Sequence, residues 1–189
     1  MNKGMVVVIS APSGCGKDTV VKSLCKIRSD CHISISATTR NRRSAEIDGK
    51  DYFFKTVDEF EEMIRQNDFL EFANYNGNYY GTPKSEVLKS VENGKVCILV
   101  IETIGAAKIM NMLPDCLSIF LMPPSLEVLE KRLVDRGTDS EDCIKSRMLI
   151  ANDELKKAND YDYCVVNDIL SVCVNEIDKI ITNELNKRN

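Results

Sequence analysis

The chain has 189 residues, which is long enough for one sizeable hydrophobic core with a small inserted lobe and too short for two full-sized domains. Hydrophobic residues make up 43% and charged residues 29% of the sequence, as in ordinary globular proteins, and no apolar run approaches the length of about 20 residues that crosses a bilayer. The net charge of −4 and the pI near 5.2 argue against nucleic acid as a partner, although an acidic protein can still contain a locally basic pocket.

The cysteines and the single histidine give no sign of a metal centre. The eight cysteines are scattered without a close pair at metal-ligand spacing, which favours free thiols in a reducing compartment. His32 opens an apparent strand, so a surface or packed position is favoured over a catalytic one. The first strand begins almost at the N-terminus, which leaves no room for a secretory signal. We therefore expect a cytoplasmic protein with no membrane partner.

A strand, a glycine-rich turn and a helix follow one another near the N-terminus. The turn has the sequence Ala11-Pro12-Ser13-Gly14-Cys15-Gly16-Lys17-Asp18-Thr19. Gly14 and Gly16 let the backbone wrap around an anion, and the N–H groups at the start of the following helix receive phosphate oxygens. Lys17 supplies a positive charge for the distal phosphates. The generic motif has a hydroxyl residue where this chain has Asp18, which leaves the magnesium ligand open between Asp18 and Thr19.

Hydrophobic periodicity and turn signals predict an α/β fold. The predicted helices span residues 18–28, 57–66, 84–92, 104–112, 125–135, 140–158 and 169–185, and the predicted strands span 6–9, 31–36, 51–54, 69–75, 79–82, 96–101, 117–122 and 163–166. Capping boxes at Thr56/Glu59 and Thr138/Glu141 mark two helix starts, and residues 76–78 form a hairpin turn signal. Residues 37–49 are polar, basic and turn-like. We expect a parallel sheet flanked by helices, with a small, mainly antiparallel insert near residues 34–83.

The insert contains a group of basic and hydroxyl residues, namely Ser36, Thr38, Thr39, Arg40, Arg42 and Arg43. These residues form either a solvated basic loop or a receptor for a second phosphate. Its tyrosines, Tyr52, Tyr79 and Tyr80, are either core rings or hydroxyl donors to a ligand.

Glu102 lies at the carboxyl end of an apolar strand typical of a parallel sheet. Ligands bind outside the carboxyl ends of such strands, which places Glu102 on the same rim as the phosphate loop. Arg132, Arg136 and Arg147 lie on or near two helices joined at residues 137–138. Taken alone they are solvated surface residues, but in a protein that holds a nucleoside triphosphate they form a candidate lid that neutralises the moving phosphoryl group.

The motifs together resemble the guanylate kinase family along nearly the whole chain. The matching segments, in the family's order, are Ala11-Pro12-Ser13-Gly14-x-Gly16-Lys17, Ser36-x-Thr38-Thr39-Arg40-x-x-Arg43, Gly49-Lys50-Asp51-Tyr52-Phe53-Phe54, Phe69-Leu70-Glu71, Gly77-Asn78-Tyr79-Tyr80-Gly81-Thr82, Pro123-Pro124-Ser125, Arg132-Leu133-x-x-Arg136-Gly137-Thr138 and Val166-Asn167-Asp168. The resemblance implies a P-loop core at residues 1–33, 84–124 and 159–189, a GMP-binding insert at 34–83 and a lid at 125–158.

The resemblance also implies a reaction and a role for each group. ATP and GMP would give ADP and GDP with Mg²⁺, through positioning and charge stabilisation. The GMP phosphate would be held by Ser36, Arg40, Arg43, Tyr52 and Tyr80, and the guanine edge would be recognised by Glu71, Thr82 and Glu102. The ATP phosphates would be held by the loop from Ala11 to Thr19 and by Arg132, Arg136 and Arg147, with Asn167 beside the adenine. The residues expected to act in catalysis are Lys17, Arg40, Arg132, Arg136 and Arg147.

The chain departs from the family pattern at Val100, where an acid is usual, and at Ile104, where glutamine is usual. With Asp18, these departures leave the metal arrangement open.

Two other functions compete with that of a guanylate kinase. A ribose 1,5-bisphosphate phosphokinase can carry Gly-Lys-Asp in the loop, but Glu71 and the Tyr79-Tyr80-Gly81-Thr82 arm argue against it. A non-catalytic module that binds phosphorylated peptides is disfavoured by Lys17 and the lid arginines.

Overall fold

A computed structural model describes residues 4–75, 77–135, 137 and 140–188. In chain order the elements are β1 (Met5–Ser10), α1 (Lys17–Ile27), β2 (Cys31–Ile33), β3 (Ala37–Thr38), β4 (Phe53–Phe54), α2 (Val57–Arg65), β5 (Phe69–Tyr75), β6 (Asn78–Pro83), α3 (Lys84–Glu92), β7 (Val96–Val100), α4 (Thr103–Met112), β8 (Leu117–Met122), α5 (Leu126–Asp135), α6 (Glu141–Leu155), a 3₁₀ helix (Lys156–Asp160), β9 (Tyr163–Val166) and α7 (Leu170–Arg188).

Five strands form a parallel sheet in the order β2-β7-β1-β8-β9. The strands are apolar runs because helices cover both faces of the sheet. One face packs on α1 and α7, with Val21, Leu24 and Ile177 fully buried, and the other packs on α4, with Ile109 buried against Leu99. The α/β fold predicted from the sequence is therefore confirmed, and the carboxyl ends of β1 and β7 meet at one rim.

A second sheet has the order β4-β3-β6-β5 and contains antiparallel pairs on both sides of β6. An aromatic cluster holds helix α2 against it: the rings of Phe60 and Phe69 stack with centroids 4.4 Å apart, and those of Phe60 and Tyr79 at 5.2 Å. Aromatic stacks bury large areas and supply the small core that such a lobe needs. Tyr79 is therefore a packing residue of this second sheet.

The strand boundaries differ from the predictions in the segment that joins the two sheets. β2 ends at Ile33 instead of residue 36, because the chain leaves the parallel sheet there and crosses to the second one. Residues 37–38, predicted to be turn-like, form β3, which pairs with β6 at Tyr80 and Gly81. A two-residue strand carries no recognisable alternation, so only its tertiary pairing defines it. The predicted strand at 51–54 is likewise reduced to β4.

The helix termini confirm one capping signal and correct another. At α2 the Thr56 side chain accepts from the Glu59 N–H, and the Glu59 carboxylate accepts from the Thr56 N–H. At α6 the cap is Ser140, whose hydroxyl accepts from the Cys143 N–H, whereas the predicted cap Thr138 lies outside the described residues. Asn76 of the predicted hairpin turn also lies outside them. Helix α6 ends at Leu155, and a 3₁₀ turn replaces its predicted last residues.

The cysteines are free thiols, and Cys15, Cys97 and Cys173 are buried. His32 is partly exposed, and its ring lies 3.4 Å from the Glu86 carboxylate. Within the described ranges, no helix combines the length and the apolar character that crossing a membrane requires.

Candidate active site

The phosphate loop lies between β1 and α1 and is shaped by two glycines in the left-handed region. Gly14 has φ 91° and Gly16 has φ 85°, which residues with a Cβ rarely adopt. The Cys15 N–H donates to the Pro12 carbonyl at 3.1 Å and closes the turn. Gly16 is the N-cap of α1. The N–H groups of the first turn therefore have no partners within the helix and can receive an anion.

Lys17 lies at the rim of the parallel sheet. Its Nζ donates to the Ile101 carbonyl at 3.3 Å and to Glu102 Oε1 at 3.4 Å. The Lys17 side chain is only 13% exposed, whereas that of Glu102 is 70% exposed. An ion pair with an exposed partner is weak, so an incoming phosphate can replace Glu102 as the partner of the Lys17 ammonium group. Asp18 and Thr19 follow on the first turn of α1, and both are exposed.

Asn167 and Arg132 stabilise the phosphate loop through a chain of two hydrogen bonds. The Asn167 amide donates to the Cys15 carbonyl at 2.7 Å, and Arg132 donates to the Asn167 carbonyl at 2.9 Å. Asn167 is buried, and a Cβ on Gly16 would lie 2.9 Å from its amide nitrogen. The side chain predicted to lie beside adenine is thus already engaged in holding the phosphate loop.

Cys15 is the one loop residue with a thiol, and burial raises its pKa to about 12. A thiol with so high a pKa is protonated at neutral pH and is a poor nucleophile. The site is therefore not built for covalent catalysis through Cys15.

The second sheet contains a separate basic cluster just after the end of β3. The Thr38 hydroxyl donates to the Tyr79 carbonyl at 2.9 Å, and the Tyr79 N–H donates to the Thr39 hydroxyl at 2.9 Å. The Arg40 N–H in turn donates to the Thr38 hydroxyl at 3.2 Å. These bonds fix the backbone at Arg40 and at the two residues before it.

Arg40 lies among two tyrosines and one carboxylate. Its guanidinium lies 5.5 Å from the centre of the Tyr52 ring, and the rings of Tyr52 and Tyr80 are 6.2 Å apart. Glu46 forms a bidentate ion pair with Arg40, with distances of 2.7 and 3.1 Å. The hydrogen bonding of the Arg40 guanidinium to the Glu46 carboxylate raises the pKa of Arg40, and Tyr80 acts in the same direction.

The electrostatics of Tyr52 link this cluster to the phosphate loop. Burial raises the pKa of Tyr52 most, followed by the neighbouring Tyr80 and then by the negative charge of Asp18. Asp18 belongs to the first turn of α1, so the negative charge of this turn acts on Tyr52 of the second sheet.

Two further residues predicted to contact the phosphate flank this cluster. Ser36 is half-buried, and its carbonyl accepts from the Phe53 N–H at 2.9 Å. Arg43 is exposed, and its N–H donates to Glu46 at 2.8 Å.

Glu71 and Thr82 form a buried polar pair between β5 and β6. The Thr82 hydroxyl donates to Glu71 Oε1 at 2.8 Å, and Glu71 is 8% exposed. Burial raises the pKa of the Glu71 carboxyl above its ordinary value, and the Thr82 hydrogen bond opposes this in part. A fixed buried carboxylate can accept from two neighbouring N–H groups of a ligand. Glu102, predicted to act with this pair, lies beside Lys17, with its Oε1 3.4 Å from the ammonium nitrogen.

The remaining predicted arginines are on the helical side. Arg132 is part of α5 and contacts Asn167, as described above. Arg147 is half-buried on α6, and Arg136 lies outside the described residues.

Sequence inspection missed two acidic residues. Glu46 follows three arginines in the segment predicted to be a loop. The excess of positive charge there was the available signal that a nearby carboxylate forms an ion pair. Glu154 on α6 is buried and accepts from the Thr103 hydroxyl at 3.4 Å, which connects α6 to the first turn of α4. Burial raises the pKa of Glu154. An isolated glutamate at a helical position carries no signal of such a contact.

A glycine-rich loop at the rim of a parallel sheet, together with an arginine–tyrosine cluster on an inserted sheet, is typical of a P-loop phosphotransferase. The guanylate kinase family model matches residues 3–184. The chain is 46% identical to the guanylate kinase of Lactococcus lactis over 182 residues, covering 96% of this chain and 89% of that protein. It is 46% identical to the guanylate kinase of Halalkalibacterium halodurans over 186 residues, covering 98% and 91%.

The crystal structure of guanylate kinase from Anaplasma phagocytophilum superposes with a TM-score of 0.79 at 32% identity, covering 98% of this chain and 88% of that one. The chain therefore belongs to the guanylate kinase family.

Proposed function

We propose that this protein transfers the γ-phosphoryl group of ATP to GMP, giving ADP and GDP. The observation that carries the proposal is the buried Glu71–Thr82 pair in the inserted sheet, on the same molecule as the phosphate loop with Lys17. Guanine presents N1–H and a 2-amino group on one edge, and a carboxylate accepts from both. Adenine presents an acceptor at N1 and has no 2-amino group, so this edge offers the buried carboxylate no donor, which is unfavourable.

On the ATP side, the proposed contacts are the backbone N–H groups of the loop from Ala11 to Thr19 and the charge of Lys17. Arg132, Arg136 and Arg147 would neutralise the phosphoryl group as it moves, on a lid formed by residues 125–158. Because Asn167 already supports the loop at Cys15, its proposed role is to shape the ATP site as well as to lie beside the adenine.

On the GMP side, the proposed phosphate site is the group Ser36, Arg40, Arg43, Tyr52 and Tyr80 on the insert, residues 34–83. Arg40 is the central member, because its guanidinium is already oriented by Glu46 and the tyrosines. A bidentate guanidinium matches phosphate oxygens as well as it matches a carboxylate. The proposed role of Glu102 is to complete the guanine site when the insert approaches the rim of the parallel sheet.

Magnesium is the proposed cofactor, bound mainly through the nucleotide phosphates. Among the described residues, no group of three or more His, Cys, Asp or Glu side chains could hold an ion, and Mg²⁺ typically keeps several waters and takes few protein ligands. Asp18 and Thr19 fit this chemistry, since both present exposed oxygen atoms beside the loop. When bound, the ion would offset charge on the phosphates. The reaction depends on alignment and charge stabilisation by Lys17 and the arginines.

The test is steady-state phosphotransfer from ATP with GMP, dGMP, AMP and ribose 1,5-bisphosphate, with and without Mg²⁺. We expect the highest kcat/KM with a guanine nucleotide and no measurable turnover without the metal. A preference for ribose 1,5-bisphosphate would replace the proposal by a sugar-phosphate kinase. GMP binding without turnover on any acceptor would indicate a binding module.

A further inference from the structure

Gly105 lies on the first two turns of α4 and is buried against the Glu71 carboxylate. A Cβ added to Gly105 would lie 2.9 Å from Glu71 Oε2 and 3.2 Å from its Cδ. The backbone does not require glycine at this position, because the glycines with positive φ among the described residues do not include Gly105. Alanine is also the better helix former. The absence of a side chain at Gly105 therefore leaves room for the Glu71 carboxylate.

The helix cannot easily retreat from Glu71. One turn further along α4, Lys108 donates to the Phe72 carbonyl of β5 at 3.1 Å and lies 5.9 Å from the centre of the Phe72 ring. Helix α4 also packs on the parallel sheet through Ile109, which is fully buried. An added Cβ would thus displace the carboxylate, the movable end of a side chain, rather than the helix.

Displacement of the carboxylate would disturb its other contacts. Glu71 Oε1 accepts from the Thr82 hydroxyl of β6 at 2.8 Å. Glu71 Oε2 lies against α4 at Gly105, where there is no side chain. The position of the carboxylate is therefore set by Thr82 on one side and by Gly105 on the other. We propose that Gly105 is a positioning residue that determines guanine specificity by setting where the Glu71 carboxylate lies. This inference rests on the proposed function, because it assigns the carboxylate to the guanine edge.

The experiment compares wild type with Gly105→Ala, using GMP and inosine monophosphate, which lacks the 2-amino group. A hydrogen bond to a charged group is lost or lengthened, so we expect the KM for GMP to rise about tenfold to a hundredfold. The preference for GMP over inosine monophosphate should fall by a similar factor, with the KM for ATP unchanged. A general structural defect would instead raise the KM for ATP as well as the KM for GMP. Ala107→Gly, at an exposed position of α4, alters helix propensity away from Glu71 and should leave both substrates unaffected.

A double-mutant cycle with Glu71→Asp tests the contact itself. The shorter aspartate withdraws from Gly105, so Gly105→Ala should have little further effect on the KM for GMP or on the thermal midpoint in that background. If Gly105→Ala alone does not fold, the double variant should fold.

Additive effects in the cycle, an unfolded double variant, or unchanged GMP kinetics in folded Gly105→Ala would overturn the inference. Wild type that does not phosphorylate GMP would refute the proposed function, while the thermal cycle would still decide whether Gly105 positions Glu71.

Discussion

Replacing Glu71 by Gln removes one negative charge from the inserted sheet and keeps the length of the side chain. In the proposed complex the carboxylate accepts from guanine N1–H and from the 2-amino group. Gln retains one acceptor oxygen and presents an NH₂ group, itself a donor, at the other position. One of the two bonds to guanine is therefore lost.

The size of the effect follows from the chemistry of that bond. A hydrogen bond to a charged group contributes about 1.5–3 kcal/mol, and each 1.4 kcal/mol corresponds to about tenfold. We expect kcat/KM for GMP to fall about 10- to 150-fold in Glu71→Gln, with the KM for ATP unchanged. Steady-state kinetics with each substrate varied in turn measures both values.

The same substitution should stabilise the fold near neutral pH. Burial raises the pKa of Glu71 above its ordinary value of 4.5, so the folded chain holds this proton more tightly than the unfolded chain. Above pH 4.5 the wild type therefore loses stability as the pH rises, until Glu71 is ionised in the folded state as well. Gln does not titrate. The thermal midpoint of Glu71→Gln should exceed that of wild type at neutral pH, and the difference should shrink toward pH 4.5.

The matched control is Glu92→Gln, at an exposed position. It should change neither the kcat/KM for GMP nor the thermal midpoint. Unchanged GMP kinetics in a folded Glu71→Gln would refute the assignment of this carboxylate to guanine. A stability difference that grows toward acid pH would refute the assumed direction of its pKa shift.

Three further substitutions test other parts of the site. Lys17→Met should lower kcat about 10²- to 10³-fold, as loss of one transition-state donor does, with GMP affinity by calorimetry unchanged; normal turnover would exclude the role of Lys17. Asn167→Ala leaves the Cys15 carbonyl without its donor, which should cost about 1–3 kcal/mol in the free energy of unfolding and raise the KM for ATP more than that for GMP. Equal changes in the two KM values would contradict its link to the phosphate loop. Thr56→Ala removes the α2 cap and should cost about 1 kcal/mol, a fall of about 2–4 °C in thermal midpoint, with kcat unaffected; altered kcat would show that α2 is coupled to catalysis.

Local patterns predicted the parts of the fold in which neighbouring residues act together. The phosphate loop and α1 follow from glycines and a helical apolar spacing within one short segment. The α2 capping box depends on Thr56 and Glu59, three residues apart. The apolar strands of the parallel sheet were also identified, because burial on both faces leaves a continuous hydrophobic run.

The prediction was less accurate where distant segments determine the local structure. β3 has two residues and exists because it pairs with Tyr80 and Gly81 on β6, which lie far along the chain. Ser140, not the predicted Thr138, caps α6, because the cap is set by the residue at which the helix actually begins.

The amino-acid sequence by itself determined that this chain builds a glycine-rich loop on a parallel α/β sheet and carries a second group of basic and hydroxyl residues in an insert. Only the tertiary structure decided that Glu46 holds Arg40, that Asn167 supports the phosphate loop, and that Gly105 leaves room for Glu71. The reason is physical: periodicity and capping act over a few residues, whereas each of these contacts depends on where separate segments meet in space.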